Sequence, residues 1–187
     1  MYHIKHDKRA YASAELIYQG LCQCIRQKDF TRITIHDIEQ ASSVSHSTFY
    51  RHFDTIPDVL YWRCSQCLCQ LWEQYQPAQH IGKYDFLCYF LDYWAAHIEI
   101  LELLLTVNRT DIIYTCHTEQ FSRFQEKYAV FTQLPAQYSD YFMSMRAGVL
   151  VGILTTWLQR GKQESVDELF AIAQMQFDSL QQTELIF

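Results

Sequence analysis

From Asp7 to Lys28, apolar or small residues recur at Ala10, Ala14, Ile17, Leu21, Cys24 and Ile25. Steps of three and four are the spacing of one buried face on an amphipathic helix. The polar run Arg26-Gln27-Lys28-Asp29 ends that helix, with cations where a helix C-terminus favours them. Thr34 is placed to cap a short second helix, with Asp37 in the acid position of a capping box and Ile35, Ile38 and Ala41 on the inner face. Ser42-Ser43 breaks it, and Ser45 then caps a third helix on which Phe49 and Phe53 lie one turn apart. Two short helices joined by a turn of about three to four residues have helix-turn-helix spacing. Thr55 caps the next helix, which tolerates Pro57 in its first turn and runs to about Tyr75, before Gln76-Pro77. Beyond Gly82, apolar and aromatic stretches alternate with short polar breaks, predicting helices over about 83–105, 110–130, 139–160 and 165–183.

Composition agrees with this pattern. Only 5 glycines and 3 prolines occur in 187 residues, and there is no Asn-Gly, Asp-Gly or Gly-Gly pair, which excludes a hairpin-rich β architecture. Hydrophobic residues at 49% and charged residues at 19% give enough apolar surface for a packed core. The expected fold class is all-α. A three-helix helix-turn-helix unit over residues 1–55 precedes a larger helical region over 56–187.

The net charge of −6 is unevenly spread. Residues 1–60 hold seven Lys and Arg against seven Asp and Glu, so the acidity lies entirely in the remainder. Five of the eight histidines, His3, His6, His36, His46 and His52, also fall in this neutral third, where protonation adds positive charge. The longest apolar stretch free of charged residues, Ala147 to Gln159, is shorter than the roughly 20 residues of a membrane span. No apolar leader is read at the N-terminus, so the expectation is a cytoplasmic protein with no membrane partner. In that compartment the seven cysteines read as reduced thiols. There is no GxGxxG, P-loop, HExxH or Gly-x-Ser-x-Gly pattern, so neither an enzyme nor a cofactor is expected.

Residues 33–53 read ITIHDIEQASSVSHSTFYRHF. The third helix spends Val44, Phe49 and Phe53 inward, while Ser45, His46, Ser47, Thr48, Tyr50, Arg51 and His52 are short or planar hydrogen-bonding groups. Such groups reach base edges and phosphates from a helix lying in a major groove. His46, Ser47 and Thr48, at the leading end, are placed to read bases.

The segment from about residue 7 to 62 resembles the DNA-binding domain of the tetracycline-repressor (TetR) family of bacterial transcription regulators. The features carrying the resemblance are Thr34, Asp37-Ile38, Val44-Ser45, Thr48-Phe49-Tyr50 and His52-Phe53, with Phe30 and Leu60 flanking them. It implies that Tyr50 and His52 hold phosphates and that Thr34 and His36 touch the backbone or a neighbouring base. It also implies a homodimer on a palindromic double-stranded DNA operator, a repressor role and an effector acting through the C-terminal region. Two positions depart from the family pattern. Ser43 stands where glycine is usual in the turn, and Ile56 stands where lysine is usual at the next helix, removing a phosphate contact. With a neutral N-terminal third, the expected salt dependence of binding is shallow. The placement of His36, His46 and His52 on the proposed DNA face predicts that DNA binding takes up protons, with neutral hydrogen-bonding imidazoles as the alternative.

In the C-terminal region, Gly148, Gly152 and Trp157 on one helix and Leu169, Ala173 and Phe177 on the last suggest a dimer interface, against packing within one subunit. The stretch from Tyr141 into Ser165-Val166-Asp167-Glu168-Leu169 also resembles a TetR subset that includes regulators of dihydroxyacetone kinase genes. In that subset the effector can be a partner protein instead of a small molecule. Tyr89, Tyr93, Trp94, His97, Phe121 and Phe124 are the candidate lining of an effector pocket, with ordinary core packing as the alternative. Cys64-x2-Cys67 offers thiol-responsive or metal-responsive regulation as another reading, against structural thiols acting as small hydrophobes.

Overall fold

The computed structural model describes residues 1–4, 7–75, 85–128 and 136–182, with the side chains of 121–128, 136, 139, 177 and 179–182 excepted. Nine α-helices occur among the described residues: α1 (Lys8–Ile25), α2 (Ile35–Ser42), α3 (His46–His52), α4 (Ile56–Gln74), α5 (Asp85–Ala96), α6 (Ile98–Thr106), α7 (Asp111–Tyr128), α8 (Ser139–Gln159) and α9 (Val166–Gln182). The class is all-α, as the sequence pattern predicts.

Helix ends follow from local chemistry. The Asp7 carboxylate accepts the Ala10 N–H at 2.7 Å and opens α1. Thr34 and Asp37 form a reciprocal capping box: Asp37 accepts the Thr34 N–H at 2.7 Å, and Thr34 Oγ1 accepts the Asp37 N–H at 3.3 Å. Lys28 pairs with the same Asp37 carboxylate, tying the loop after α1 to the start of α2. Together these donors hold the Asp37 carboxyl well below the usual carboxylate range. Asp58 serves Thr55 in the same way at the head of α4. Ser45 differs from its expected role. It precedes α3 but makes no side-chain capping bond, its hydroxyl lying instead 3.0 Å from Thr48 Oγ1 and 3.2 Å from Ser47 Oγ.

The helix expected over 83–105 is interrupted at His97, between α5 and α6. The His97 ring stacks on Tyr93 at 4.1 Å and its Nδ1 donates to the Tyr93 carbonyl at 2.8 Å, capping the end of α5 without glycine or proline.

Helix α1 packs on α2, α3 and α4, closing an N-terminal headpiece around Ile17, Leu21, Ile38, Phe49 and Phe53. Helix α4 then continues into the body, against α6 and α7. Trp62 on α4 meets both Phe53 and Tyr11, so the first turns of α4 form the floor of the headpiece. In the body, α8 packs on α6, α7 and α9, and α9 on α5. By length and composition alone, the segment Asp140–Gln159 would suffice to cross a membrane, because a longer window than the charge-free stretch admits Asp140 and Arg146. Its inner face, including Met143, Ala147, Leu150 and Leu154, is packed within the bundle.

Candidate nucleic-acid interface and effector site

The sequence places two hydrophobic anchors one turn apart on α3, and both are buried: Phe49 is 1% exposed and Phe53 0%. With that face fixed inward, Ser45, His46, Ser47, Tyr50 and Arg51 are left exposed and Thr48 half-buried. Thr34 and His36 at the head of α2 are exposed beside them. These residues form one continuous hydrogen-bonding surface across α2 and α3. It is partly organised already. Arg51 Nη2 donates to Thr48 Oγ1, and the Tyr50 ring meets His46 edge-on at 5.0 Å. Glu39 on α2 lies between two histidines, with its carboxylate 2.8 Å from His46 Nδ1 and 3.6 Å from His36 Nδ1.

His52 departs from the expectation. Positions 49, 52 and 53 share one side of a helix by their three- and four-residue spacing, and His52 follows the phenylalanines inward to 5% exposure. Burial, and secondarily the neighbouring Arg51 charge, push its pKa down. In this conformation the His52 ring faces the headpiece interior instead of the exposed side of α3. The expectation of three charged histidines facing DNA narrows to His36 and His46.

A feature absent from the sequence reading is the strap Met1–Ile4. Tyr2 forms an isolated bridge with Phe53, and the His3 N–H donates to the His52 carbonyl at 2.8 Å, satisfying backbone at the end of α3. The Tyr2 ring also lies tilted against that of Tyr61, with centroids 5.9 Å apart, and its hydroxyl lies 3.4 Å from Ser65 Oγ. Ser65 in turn accepts from Gln120 Nε2 at 2.9 Å. The end of the candidate recognition helix is thereby linked through α4 to α7.

In the body, Tyr89 is half-buried, Tyr93 and Trp94 are buried, and His97 is half-buried. The side chains of Phe121 and Phe124 lie outside the described set. Two of the six candidates are occupied by protein partners: the Tyr93 hydroxyl donates to the Cys67 carbonyl at 2.6 Å, and His97 caps α5. A residue the sequence reading missed stands next to Trp94. His117 on α7 is 3% exposed, with its ring 5.7 Å from the Trp94 ring and 5.4 Å from Phe90. Its signal was present in the spacing Ile112, Ile113, Cys116, His117, Gln120, a buried helical stripe that happens to contain two polar residues.

Of the interface candidates, Gly148 and Gly152 face open space. Trp157, Leu169 and Ala173 are instead buried within the subunit, and the Trp157 indole N–H donates to the Glu164 carbonyl at 2.9 Å. Phe177's side chain lies outside the described set. Exposed apolar side chains on the same two helices are Tyr141, Phe142, Met145 and Val149 on α8 and Ile172 and Met175 on α9.

All seven cysteines are free. Cys64 and Cys67 are buried, and burial pushes the Cys67 thiol up to about 11. No group of three or more His, Cys, Asp or Glu suited to a metal occurs among the described residues.

No protein-family model and no curated protein matches the chain. Solved structures do. The chain is similar to Lin0861 from Listeria innocua, with a TM-score of 0.79 and 16% identity over 95% of this chain and 96% of that one. It is also similar to a TetR transcriptional regulator from Streptococcus agalactiae, with a TM-score of 0.56 and 18% identity over 89% and 94%. The fatty acid degradation regulator FadR from Bacillus halodurans gives a TM-score of 0.51 and 15% identity over 86% and 92%. The chain thus has the all-helical fold of TetR-type regulators over nearly its whole length.

Proposed function

We propose that this protein is a DNA-binding transcription regulator that acts as a repressor, binding a near-palindromic operator as a homodimer and responding to an effector in its helical body. The observation that carries the reading is the α2-turn-α3 unit. Its buried Phe49 and Phe53 fix an outward face of His46, Ser47, Tyr50 and Arg51, with Thr34 and His36 alongside. Short polar groups at the leading end of such a helix read base edges, and Tyr50 and Arg51 further along hold phosphates. The fold shared with the Streptococcus agalactiae regulator supports this assignment. Dimerisation through α8 and α9 is supported by the exposed apolar groups Tyr141, Phe142, Met145 and Val149 on α8 and Ile172 and Met175 on α9, together with the two open glycines of α8. A two-fold protein requires a two-fold site. The division at about residue 55 is functional rather than mechanical, since α4 carries residues of both parts.

Thiol control is disfavoured because burial keeps Cys67 protonated, and only the thiolate is a nucleophile. A partner-protein effector remains the second reading of the C-terminal resemblance to dihydroxyacetone kinase regulators.

Selection of bound sequences from a random duplex pool tests the assignment. The expected outcome is enrichment of a near-palindrome. Tyr50→Phe weakens binding to all sequences alike by about 1 kcal/mol, whereas His46→Ala and Thr48→Ala relax preference at particular base pairs. Absence of any enriched sequence, or identical preferences in the wild type and the His46 and Thr48 variants, overturns it.

A further inference from the structure

We propose that the buried junction of α5 and α7 binds an uncharged, largely apolar molecule that presents one hydroxyl group to His117 and Trp94. The inference rests on the effector reading above and names the effector's chemistry. His117 Nδ1 lies 2.7 Å from the Ile113 carbonyl oxygen. A carbonyl only accepts, so Nδ1 carries the proton and Nε2 presents a lone pair. That Nε2 is buried and has no hydrogen-bond partner among the described residues. Burial holds the ring's pKa down to about 4, so the imidazole is neutral and remains an acceptor at neutral pH.

Beside it, Trp94 is fully buried, and its indole N–H, which can only donate, is equally without a partner. An unmatched acceptor and an unmatched donor therefore stand together, with ring centroids 5.7 Å apart. Phe90 meets both rings edge-on and supplies an apolar wall. The neighbouring polar groups are already committed, Tyr93 to the Cys67 carbonyl and His97 to the Tyr93 carbonyl.

A buried polar group left unmatched is costly, and two of opposite sense in one place select their occupant. A hydroxyl accepts from Trp94 Nε1 and donates to His117 Nε2 through a single oxygen. A ketone or ether leaves His117 unsatisfied, and a hydrocarbon leaves both. A carboxylate is excluded because a neutral imidazole provides no countercharge for a buried anion.

The test titrates the full-length protein with phenol, toluene and benzoate, followed by tryptophan fluorescence and calorimetry. Phenol is expected to bind at least about tenfold more tightly than toluene or benzoate. His117→Phe and Trp94→Phe, each retaining an aromatic ring, should bring the phenol-to-toluene ratio within about twofold of unity while thermal unfolding stays cooperative. Equal affinities for phenol and toluene in the wild type, or a preference that survives both substitutions, overturns the proposal. So does the lack of saturable binding by any probe, the outcome if the two nitrogens enclose an ordered water only. Saturable, variant-sensitive phenol binding that leaves operator affinity unchanged upholds the site and refutes its role as the effector site.

Discussion

Glycines on two long helices meet opposite surroundings. A methyl group added at Gly20 in α1 would come within 2.7 Å of Ser42 Cβ, 3.0 Å of Ser42 N and 3.2 Å of the Ile38 carbonyl oxygen. The same methyl at Gly148 or Gly152 in α8 would meet nothing within 4 Å. The first glycine lets α1 and α2 touch backbone to side chain, so the headpiece is closed by this chain's own residues. The other two are open among the described residues, on a helix whose exposed side chains include the apolar Tyr141, Met145 and Val149. A helix-turn-helix must hold its recognition helix rigidly, whereas a dimerising face is completed only by its partner. Small residues thus serve close packing within the subunit in the first region and, in the proposed dimer, between subunits in the second.

Adding carbon at these positions tests the contrast directly. Gly20→Ala forces α1 and α2 apart and should destabilise the protein by about 2–3 kcal/mol in chemical denaturation, since the nearest obstacles include backbone. Gly148→Ala should leave the subunit's own fold unharmed or stabilise it by up to about 1 kcal/mol, because alanine is the better helix former. Gly148→Leu should retain helicity yet shift light scattering from a dimer towards a 22.3 kDa monomer. A Gly20→Ala protein as stable as wild type would break the contrast in the headpiece. A fully dimeric Gly148→Leu protein would break it in the body.

Acid sensitivity separates the regions next. Both buried histidines, His52 in the headpiece and His117 in the body, have pKa values lowered by burial, that of His117 to about 4. When the folded-state pKa is lowered, the unfolded chain binds more protons between that value and the ordinary histidine pKa of about 6.5. Stability is then full above pH 6.5 and falls as the pH drops towards 4. For His117 the loss should approach about 3 kcal/mol. Asp58 and Asp111, whose pKa values are also lowered, lose their contribution only at lower pH, below the ordinary aspartate value of about 3.9. His117→Phe should therefore flatten most of the stability profile between pH 4 and 6.5, leaving the smaller His52 part. A wild-type profile already flat in that window would show that His117 is not held neutral by the interior.

The headpiece was more legible than the body, for physical reasons. Local signals fix its helix boundaries, since Asp37 and Asp58 sit three residues after Thr34 and Thr55 and Pro57 occupies a first turn. Phe49 and Phe53 fix the outward face of α3 by spacing alone. The same spacing places His52 on the inner side, but its polar side chain suggested solvent. Tertiary choices left weaker traces. Nothing local marks Gly20 as the glycine that α2 approaches, and Tyr2 earns its bridge to Phe53 only once the headpiece is folded. The α5/α6 break has no proline or glycine to announce it, because His97 makes it by capturing a carbonyl. In the body, α8 carries apolar residues on most of its sides and α9 has apolar residues both inward and outward, so periodicity does not distinguish the inward Trp157, Leu169 and Ala173 from the outward Met145 and Ile172.

The smallest effect concerns the turns that end helices in the two regions. Ser43, after α2, and Lys162, after α8, both adopt left-handed backbone, with φ of 57° and 58°. Side chains with a Cβ are disfavoured there by roughly 1 kcal/mol, a cost glycine avoids. Ser43 is exposed, and the hydrogen bond that steadies the turn comes from its neighbour, the Val44 N–H donating to Ser42 Oγ at 3.2 Å. Ser43→Gly should therefore relieve strain without losing a contact, although glycine's freer unfolded chain offsets part of the gain. The net expectation is about 0.5 kcal/mol of added stability with operator affinity unchanged. Lys162 pairs with Glu102 across the body and follows Gly161, itself at φ 74°. Lys162→Gly should relieve the same strain but forfeit that pair, for a net change close to zero. Denaturation midpoints of the two variants measured side by side check the expectation. If Ser43→Gly is no more stable than Lys162→Gly, the serine is not strained in its turn, and the departure from glycine at this position costs the headpiece nothing.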